Sequence, residues 1–342
     1  MGKDKKYKKL ERRRLAQIRY SAKRRTKKWK NRKKARKIDH QRQVQKVRKQ
    51  AKKPYTKLPA PKSFSLIANT NEVLKYFDDA EKRLSGGENI TFDITNVSTL
   101  TPDTIALMVA SVNDSDFYHE GNLSGNVPQK SDLAKLFNES GFHEHVSTRG
   151  YFVTNKNNLL HKEMNKKVVS SIAKDASLTG IRHVFGNEKP FEPLYEILIE
   201  CMSNTNNHAV LHHRGKCNWW LYAYSEPNEK VTSYSFLDLG VGIFKSAVVQ
   251  EKLKNLFKGT VFYGNIKLVD DLLAGRLQSR VDEDKEIRGK GIPQIVEHSK
   301  SDNFKSFYII TNDVKMNLKT GERVQLSYSL NGTFLYWELQ NK

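Results

Sequence analysis

The sequence predicts an α/β protein preceded by a basic arm, on three observations. Between residues 63 and 342, runs with strand periodicity alternate with runs whose apolar residues recur at helical spacing. Turn-forming pairs, Gly86-Gly87, Pro227-Asn228 and Asn331-Gly332 among them, punctuate those runs as a layered α/β architecture requires. The formal charge of +23 is confined to one end: residues 1–53 carry 26 Lys and Arg against 3 acidic residues, and the remainder balances at 34 of each sign.

A chain of 342 residues suits two or three domains. Its two cysteines, Cys201 and Cys217, cannot build a disulfide framework, which fits a reducing cytoplasm. No run of roughly 18 apolar residues occurs, so membrane insertion is not expected. The basic amino terminus has no apolar core behind it and does not read as a secretory signal.

Residues 1–60 are read as a helical or disordered arm with a linker. From Lys3 to Lys53 there is neither Pro nor Gly, and Lys, Arg, Gln and Ala, all good helix formers, dominate. The sparse apolar residues (Leu10, Leu15, Ile18, Trp29, Ile38, Val44, Val47) make neither a heptad nor a stripe. Such a segment cannot bury enough surface to fold alone, and its like charges repel, so a partner-induced helix is expected. The matching partner is a nucleic acid, whose condensed counterions are released when phosphates are neutralised. Arg12, Arg13, Arg14, Arg24, Arg25, Lys27, Lys28, Lys33 and Lys34 supply dense charge, and Trp29, with Tyr7 and Tyr20, can stack on unpaired bases. RNA and DNA are not distinguished. A solubilising tail, a nuclear address and a membrane-surface arm are the competing uses, the last lacking an apolar face. Lys53-Pro54 through Pro59-Ala60-Pro61 reads as a stiff linker.

Residues 61–150 read as a small α/β domain. Phe64–Ile67 is a short strand, and Asn71–Leu84 has helical spacing closed by Gly86-Gly87. Ile90–Val97 alternates as a strand, Pro102–Val112 is a helix opened by proline, and Ser131–Phe142 gives another helix.

Residues 151–342 form the third segment. Leu194–Met202 reads as an amphipathic helix on which Glu200 and Asn204 stand one turn apart on the same face. Trp219–Tyr224 and Val231–Leu237 read as a hairpin delivering Asp238, and Gly240 and Gly242 let a backbone approach a ligand closely. Phe244–Glu286 is expected to be a lid with helical stretches at Ser246–Phe257 and Ile266–Leu277. Arg280 and Arg288 are its candidate phosphate contacts. Gly289-Lys290-Gly291 then opens a helix through His298, with Pro293 in the first turn. Phe307–Thr311, Val324–Ser329 and Thr333–Glu338 are strands, Asn331-Gly332 being read as a tight hairpin turn. Cys201, His208, His212, His213 and Cys217 lack the spacing of a common zinc site.

Three motifs in this last segment carry a resemblance: Glu200 and Asn204 with Asn207 and His208; Asp238-Leu-Gly240-Val-Gly242-Ile243; and Arg288-Gly289-Lys290-Gly291. Their order and spacing resemble the GHKL ATP-binding fold of histidine kinases, anti-sigma-factor kinases, gyrase-type topoisomerases and MutL. The resemblance implies a Bergerat α/β sandwich with a mixed sheet over 151–342, binding ATP with Mg²⁺. It makes Asn204 the metal residue and Glu200 the candidate base. Asp238 accepts from the adenine amino group beside Gly240, Gly242 and Ile243, and Asn207, His208 and Arg288–Gly291 complete the nucleotide site. The closing Asn331-Gly-Thr-Phe334 is similar to the terminal hairpin of kinase-type members. His161-Lys-Glu lacks the frame of a phospho-acceptor histidine.

The stretch Asp93–Ile105 resembles the STAS domain of anti-anti-sigma factors, in which a Ser or Thr at a helix start accepts phosphate. Thr101-Pro102-Asp103-Thr104 stands at that place without the usual glycine, so a degenerate scaffold is expected, offering a surface for a protein partner. The two resemblances together imply either an ATP-binding protein whose nucleotide state gates a nucleic-acid-bound complex, or an anti-sigma-like Ser/Thr kinase or partner switch. In the first of these, ATP closes the lid, orders a homodimer or exposes a surface. Slow ATP hydrolysis or phosphotransfer is the activity the fold would support.

Overall fold

The run Trp219-Trp220-Leu221-Tyr222-Ala223 is apolar at every position, so a strand made of it must be covered on both faces. In the computed structural model it is. The structure describes residues 53–114, 117, 121–146, 158–164, 168–208, 218–249, 264–279 and 291–342. The chain divides into two compact units, Met1–Pro54 and Tyr55–Lys342. The arm residues proposed for nucleic acid, together with Arg280, Arg288, Gly289 and Lys290, lie outside the described residues, as do His212, His213 and Cys217.

The second unit begins with β1 (Tyr55–Pro59), β2 (Ser63–Phe64), α1 (Thr70–Ser85), β3 (Asn89–Asp93), β4 (Thr99–Leu100), α2 (Pro102–Val112), β5 (Leu123–Gly125) and α3 (Ser131–Glu139). Strands β1, β3 and β5 make a parallel sheet, as the alternation of strands and helices requires. The stretch read as a linker is therefore an edge strand: Tyr55–Pro59 pairs with Asn89–Asp93. Pro59 is tolerated because it ends that edge strand, where a missing N–H costs little. Helix α2 is buried from Asp103 to Val112, almost all round. A helix apolar on every side has to lie between layers, and α2 packs on the second sheet of the unit.

That second sheet has five strands: β6 (Asn158–Met164), β7 (Asn218–Ser225), β8 (Val231–Asp238), β11 (Phe304–Asn317) and β12 (Arg323–Gln340), in the order β11-β12-β8-β7-β6. Every pairing in it is antiparallel, whereas the parallel ladders lie in the β1-β3-β5 sheet and the β2-β4 pair, so among the described residues of 151–342 the expected mixed sheet is not found. Local hairpins explain this, since β7–β8 and β11–β12 are each joined by a short connection.

One face of the sheet, with Trp219, Leu221, Phe236 and Trp337, is covered by α4 (Ser170–Phe185), α5 (Glu192–His208) and, beyond the cleft described below, α8 (Gly291–Ser299). The other, with Trp220, Tyr222, Leu237 and Phe334, shares a core with α1 and α2. The two segments expected as separate domains thus meet in one hydrophobic core. Polar ties add to it: Lys315 Nζ donates to Ile67 O, and the Ser327 amide donates to Asn71 Oδ1 at 2.8 Å.

Two further expectations change. Val324–Ser329 and Thr333–Glu338 are one continuous strand, β12, and Asn331-Gly332 is an irregularity inside it; the turn between β11 and β12 falls near Gly321, at φ 78°. Gly332 has φ 138°, and a Cβ there would stand 2.0 Å from Asp238 O. The glycine is demanded by a close crossing of backbones, a need that Asn-Gly in a sequence does not distinguish from a turn. In the expected lid, Ala247–Val249 is not helical but forms β9, paired with β10 (Leu277–Ser279); α6 (Ile243–Ser246) precedes it, and a 3₁₀ turn and α7 (Val269–Leu273) lie within the second expected helix. Ala-Val-Val favours a strand once a partner is at hand. Residues 250–257 of the first expected helix lie outside the described residues.

Candidate nucleotide cleft

Helices α5 and α8 pack on one another beside the end of β8. Gly291, the first residue of α8, sits so close to α5 that a Cβ on it would meet Asn204 Oδ1 at 2.6 Å and Glu200 Oε2 at 2.9 Å. The acid and amide placed one turn apart by the sequence therefore share one face, against the amino end of a helix whose first N–H groups have no intrahelical partner. Burial, then the neighbouring Glu196, raises the Glu200 carboxyl above its usual range, while His298 draws it down. Asn207 and His208 lie in the last turn of α5.

Asp238 ends β8 and faces the same space. Its Oδ1 accepts from the Thr333 amide at 3.1 Å, and its Oδ2 lies 3.3 Å from the Thr205 hydroxyl, which also reaches Cys201 O at 3.2 Å. Surrounded by protein on all other sides, the carboxyl is pushed up to about 6 by burial, against the pull of these hydrogen bonds. An ionised carboxylate offers only acceptors, and the lone pairs left over suit an amino donor entering from the cleft.

The turn after Asp238 is held by β11. The Asn312 amide donates to Val241 O at 2.8 Å, and its Oδ1 accepts from the Phe244 N–H at 3.1 Å. The Thr311 hydroxyl accepts from the Ile243 N–H at 2.9 Å. Gly242, at φ 77°, lies where a Cβ would be 2.6 Å from the Asn312 side chain. Asn312 itself is the one non-glycine residue at positive φ (52°) among the described residues, a conformation that asparagine tolerates. Motif reading did not find Thr205, Thr311, Asn312 or Thr333 as supports. The available signal was Thr311-Asn312-Asp313, a polar triplet interrupting the apolar run from Ile309 to Val314.

Asn204, Asp238 and the turn from Gly240 to Ile243 line one cleft, with Ile292 of α8 in its wall. Its polar groups are Asn204, Asp238 and Thr333; Phe236, Val241, Ile243, Ile292 and Leu335 give it an apolar wall. Cys201 also lines it, but burial raises its thiol far above the usual range, so it is no nucleophile at neutral pH. A larger cleft of about 740 Å³ lies behind the turn, between α1, α2 and residues 329–331. Its walls combine Leu74, Phe77, Leu107 and Leu330 with the acidic residues Asp78, Glu81 and Asp114, and contain no motif of the resemblance other than Gly240.

At the STAS-like position, Asp103 and Thr104 are buried. Asp103 Oδ2 accepts from the Ile67 N–H and Thr104 Oγ1 from the Leu66 N–H, both at 2.7 Å. Thr104, with 0 % of its surface exposed, ties α2 to the first strands and presents no hydroxyl to a kinase. Among the described residues no His, Cys, Asp and Glu group has the makings of an all-protein metal site. No described helix is long and apolar enough to cross a membrane.

Compared with known proteins, the chain matches no protein-family model and no curated sequence.

Proposed function

We propose that the cleft between α5, α8 and the Asp238–Ile243 turn binds ATP with Mg²⁺, and that its occupancy gates the engagement of a nucleic-acid-containing partner by the basic arm. The observation that carries the reading is convergence. Asn204 and Asp238 with its glycine turn, more than thirty residues apart in sequence, line one cleft, and Gly291 stands against Asn204 and Glu200 beside it, which supports the nucleotide site that the GHKL resemblance implies. When bound, the magnesium nucleotide supplies an amino donor at the base and a run of charged oxygens at the phosphates. Asp238, fixed by Thr205 and Thr333, accepts from the amino group. Asn204 offers an amide oxygen of the hard, neutral type that suits a magnesium ion still carrying water and phosphate oxygens. The amino end of α8 faces the anionic side. Glu200, its carboxyl raised by burial, is placed to take a proton at that side.

The arm enters the proposal through its charge alone: 26 basic against 3 acidic residues in positions 1–53 exceed what solubility requires and match a polyphosphate. The kinase alternative gains no support from Thr104, whose hydroxyl is buried and bonded.

Titration with ATP in the presence and absence of Mg²⁺ tests the reading. The unaltered chain is expected to bind in a magnesium-dependent manner, and Asp238→Asn, which replaces an acceptor oxygen by a donor, to lose that affinity. Equal binding by both proteins would remove the assigned cleft.

A further inference from the structure

Three residues of α5, Glu196, Glu200 and Asn204, are spaced four apart and so form one row along the helix. Helix α8 lies along this row in the opposite direction. Its first residue, Gly291, meets Asn204 and Glu200, and near its other end His298 Nε2 lies 2.5 Å from Glu196 Oε2. Nε2 is fully buried and makes no well-aligned hydrogen bond, so the contact is held by charge and packing rather than by direction. Glu200 senses both partners electrostatically, which places all three groups in one neighbourhood.

The other groups around α8 are committed elsewhere. On α7, Asp270 pairs with Arg323 and Asp271 with Arg276. Lys319 Nζ donates to the carbonyls of Ser299, Lys300 and Ser301, closing the carboxyl end of α8, and Glu297 pairs with Lys300 on the exposed side. Glu196 is thus the ion-pair partner that reaches from α5 to α8. At the amino end of α8, Gly291 meets two polar side chains of α5, and Ile292 and Ile295 pack into the core that α5 shares.

We infer that the Glu196–His298 pair is the positioning element for the phosphate side of the cleft, setting where the amino end of α8 stands relative to Asn204 and Glu200. The inference rests on the nucleotide reading above and adds to it a residue pair outside the cleft lining. A helix of nine residues behaves as a short rigid lever. Freed at His298, it can turn or slide on α5 and carry Gly291 with it. The base end of the cleft, built on β8, β11 and β12, does not depend on that contact. Loss of the pair therefore weakens recognition of the phosphates and leaves recognition of the base alone.

The test compares affinities for magnesium ATP and for adenosine in the full chain and in Glu196→Ala, His298→Ala, the double variant and His298→Lys. For a partly exposed pair, each single alanine variant is expected to weaken ATP about three- to fivefold with adenosine unchanged. The double variant should lose no more than either single one, because one contact is lost once. His298→Lys, which places a cation facing Glu196, should recover part of the loss. Amide exchange across 291–299 in the ligand-free variants should be faster than in the unaltered chain, a readout that needs no nucleotide. Additive losses, equal losses for ATP and adenosine, or unchanged ATP affinity in both single variants would overturn the inference while leaving the nucleotide reading intact. Failure of the unaltered chain to bind ATP would overturn that reading, and this inference with it.

Discussion

Asp238 is an acid that the fold makes costly to ionise. Burial pushes its carboxyl up to about 6, while in the unfolded chain it titrates near the ordinary carboxylate value of 3.8. Between these two values the folded protein holds a proton that the unfolded chain has released, so stability falls as pH rises from about 4 to about 6, by at most about 3 kcal/mol. Asp238→Asn removes that cost. The Asn oxygen still accepts from the Thr333 N–H, and its amide can donate to the Thr205 hydroxyl. The variant is therefore expected to melt higher than the parent at pH 7.5 and to lose the downward slope in stability between pH 4 and 6, measured by denaturant titration at several pH values. Gly332 has the opposite character. Ala at this position would drive a methyl into Asp238 O, and a cost of about 3 kcal/mol, with ATP binding lost, is expected from chemical denaturation and titration. Asp238, Gly240 and Gly242 could be read from their motif. Thr205, Thr311, Asn312 and Thr333 could not, because a polar residue that supports a turn from a strand distant in sequence leaves no local pattern.

Helices α5 and α8 meet through a glycine, and that contact separates function from stability. In Gly291→Ala the nearest atoms to the new methyl are the movable ends of Asn204 and Glu200, so the melting temperature should hardly change, while ATP affinity is expected to fall as both side chains are displaced. Equal affinity would show that α8 does not form the phosphate side. Most helices were readable because periodicity and caps agree: α1 ends at Gly86, and α2 opens with Pro102 at its first position. The strands were harder. Tyr55–Pro59 looked like a linker because prolines flank it, yet its pairing with Asn89–Asp93 is tertiary and invisible locally. Ala247–Val249 looked helical for the same reason, its partner Leu277–Ser279 lying 28 or more residues further on.

Taken whole, the chain joins a charged arm to a body of balanced charge. Removal of residues 1–53 ends just before the first strand of the Tyr55–Lys342 unit, so it should leave the melting temperature and ATP affinity of the body unchanged. Nucleic-acid binding, steeply weakened by salt in the full chain, should disappear, as electrophoretic mobility shifts at 50 and 200 mM salt would reveal. The charge division was plain in the composition. The union of residues 61–150 with 151–342 was not, because a core shared between Leu107, Trp220 and Phe334 appears only when the sheet is seen to be apolar on both faces. A final consequence follows from Gly240, which borders both clefts. A ligand that shifts Gly240 in the cleft beside Asp238 would therefore also move a wall of the hollow beside Leu74 and Phe77.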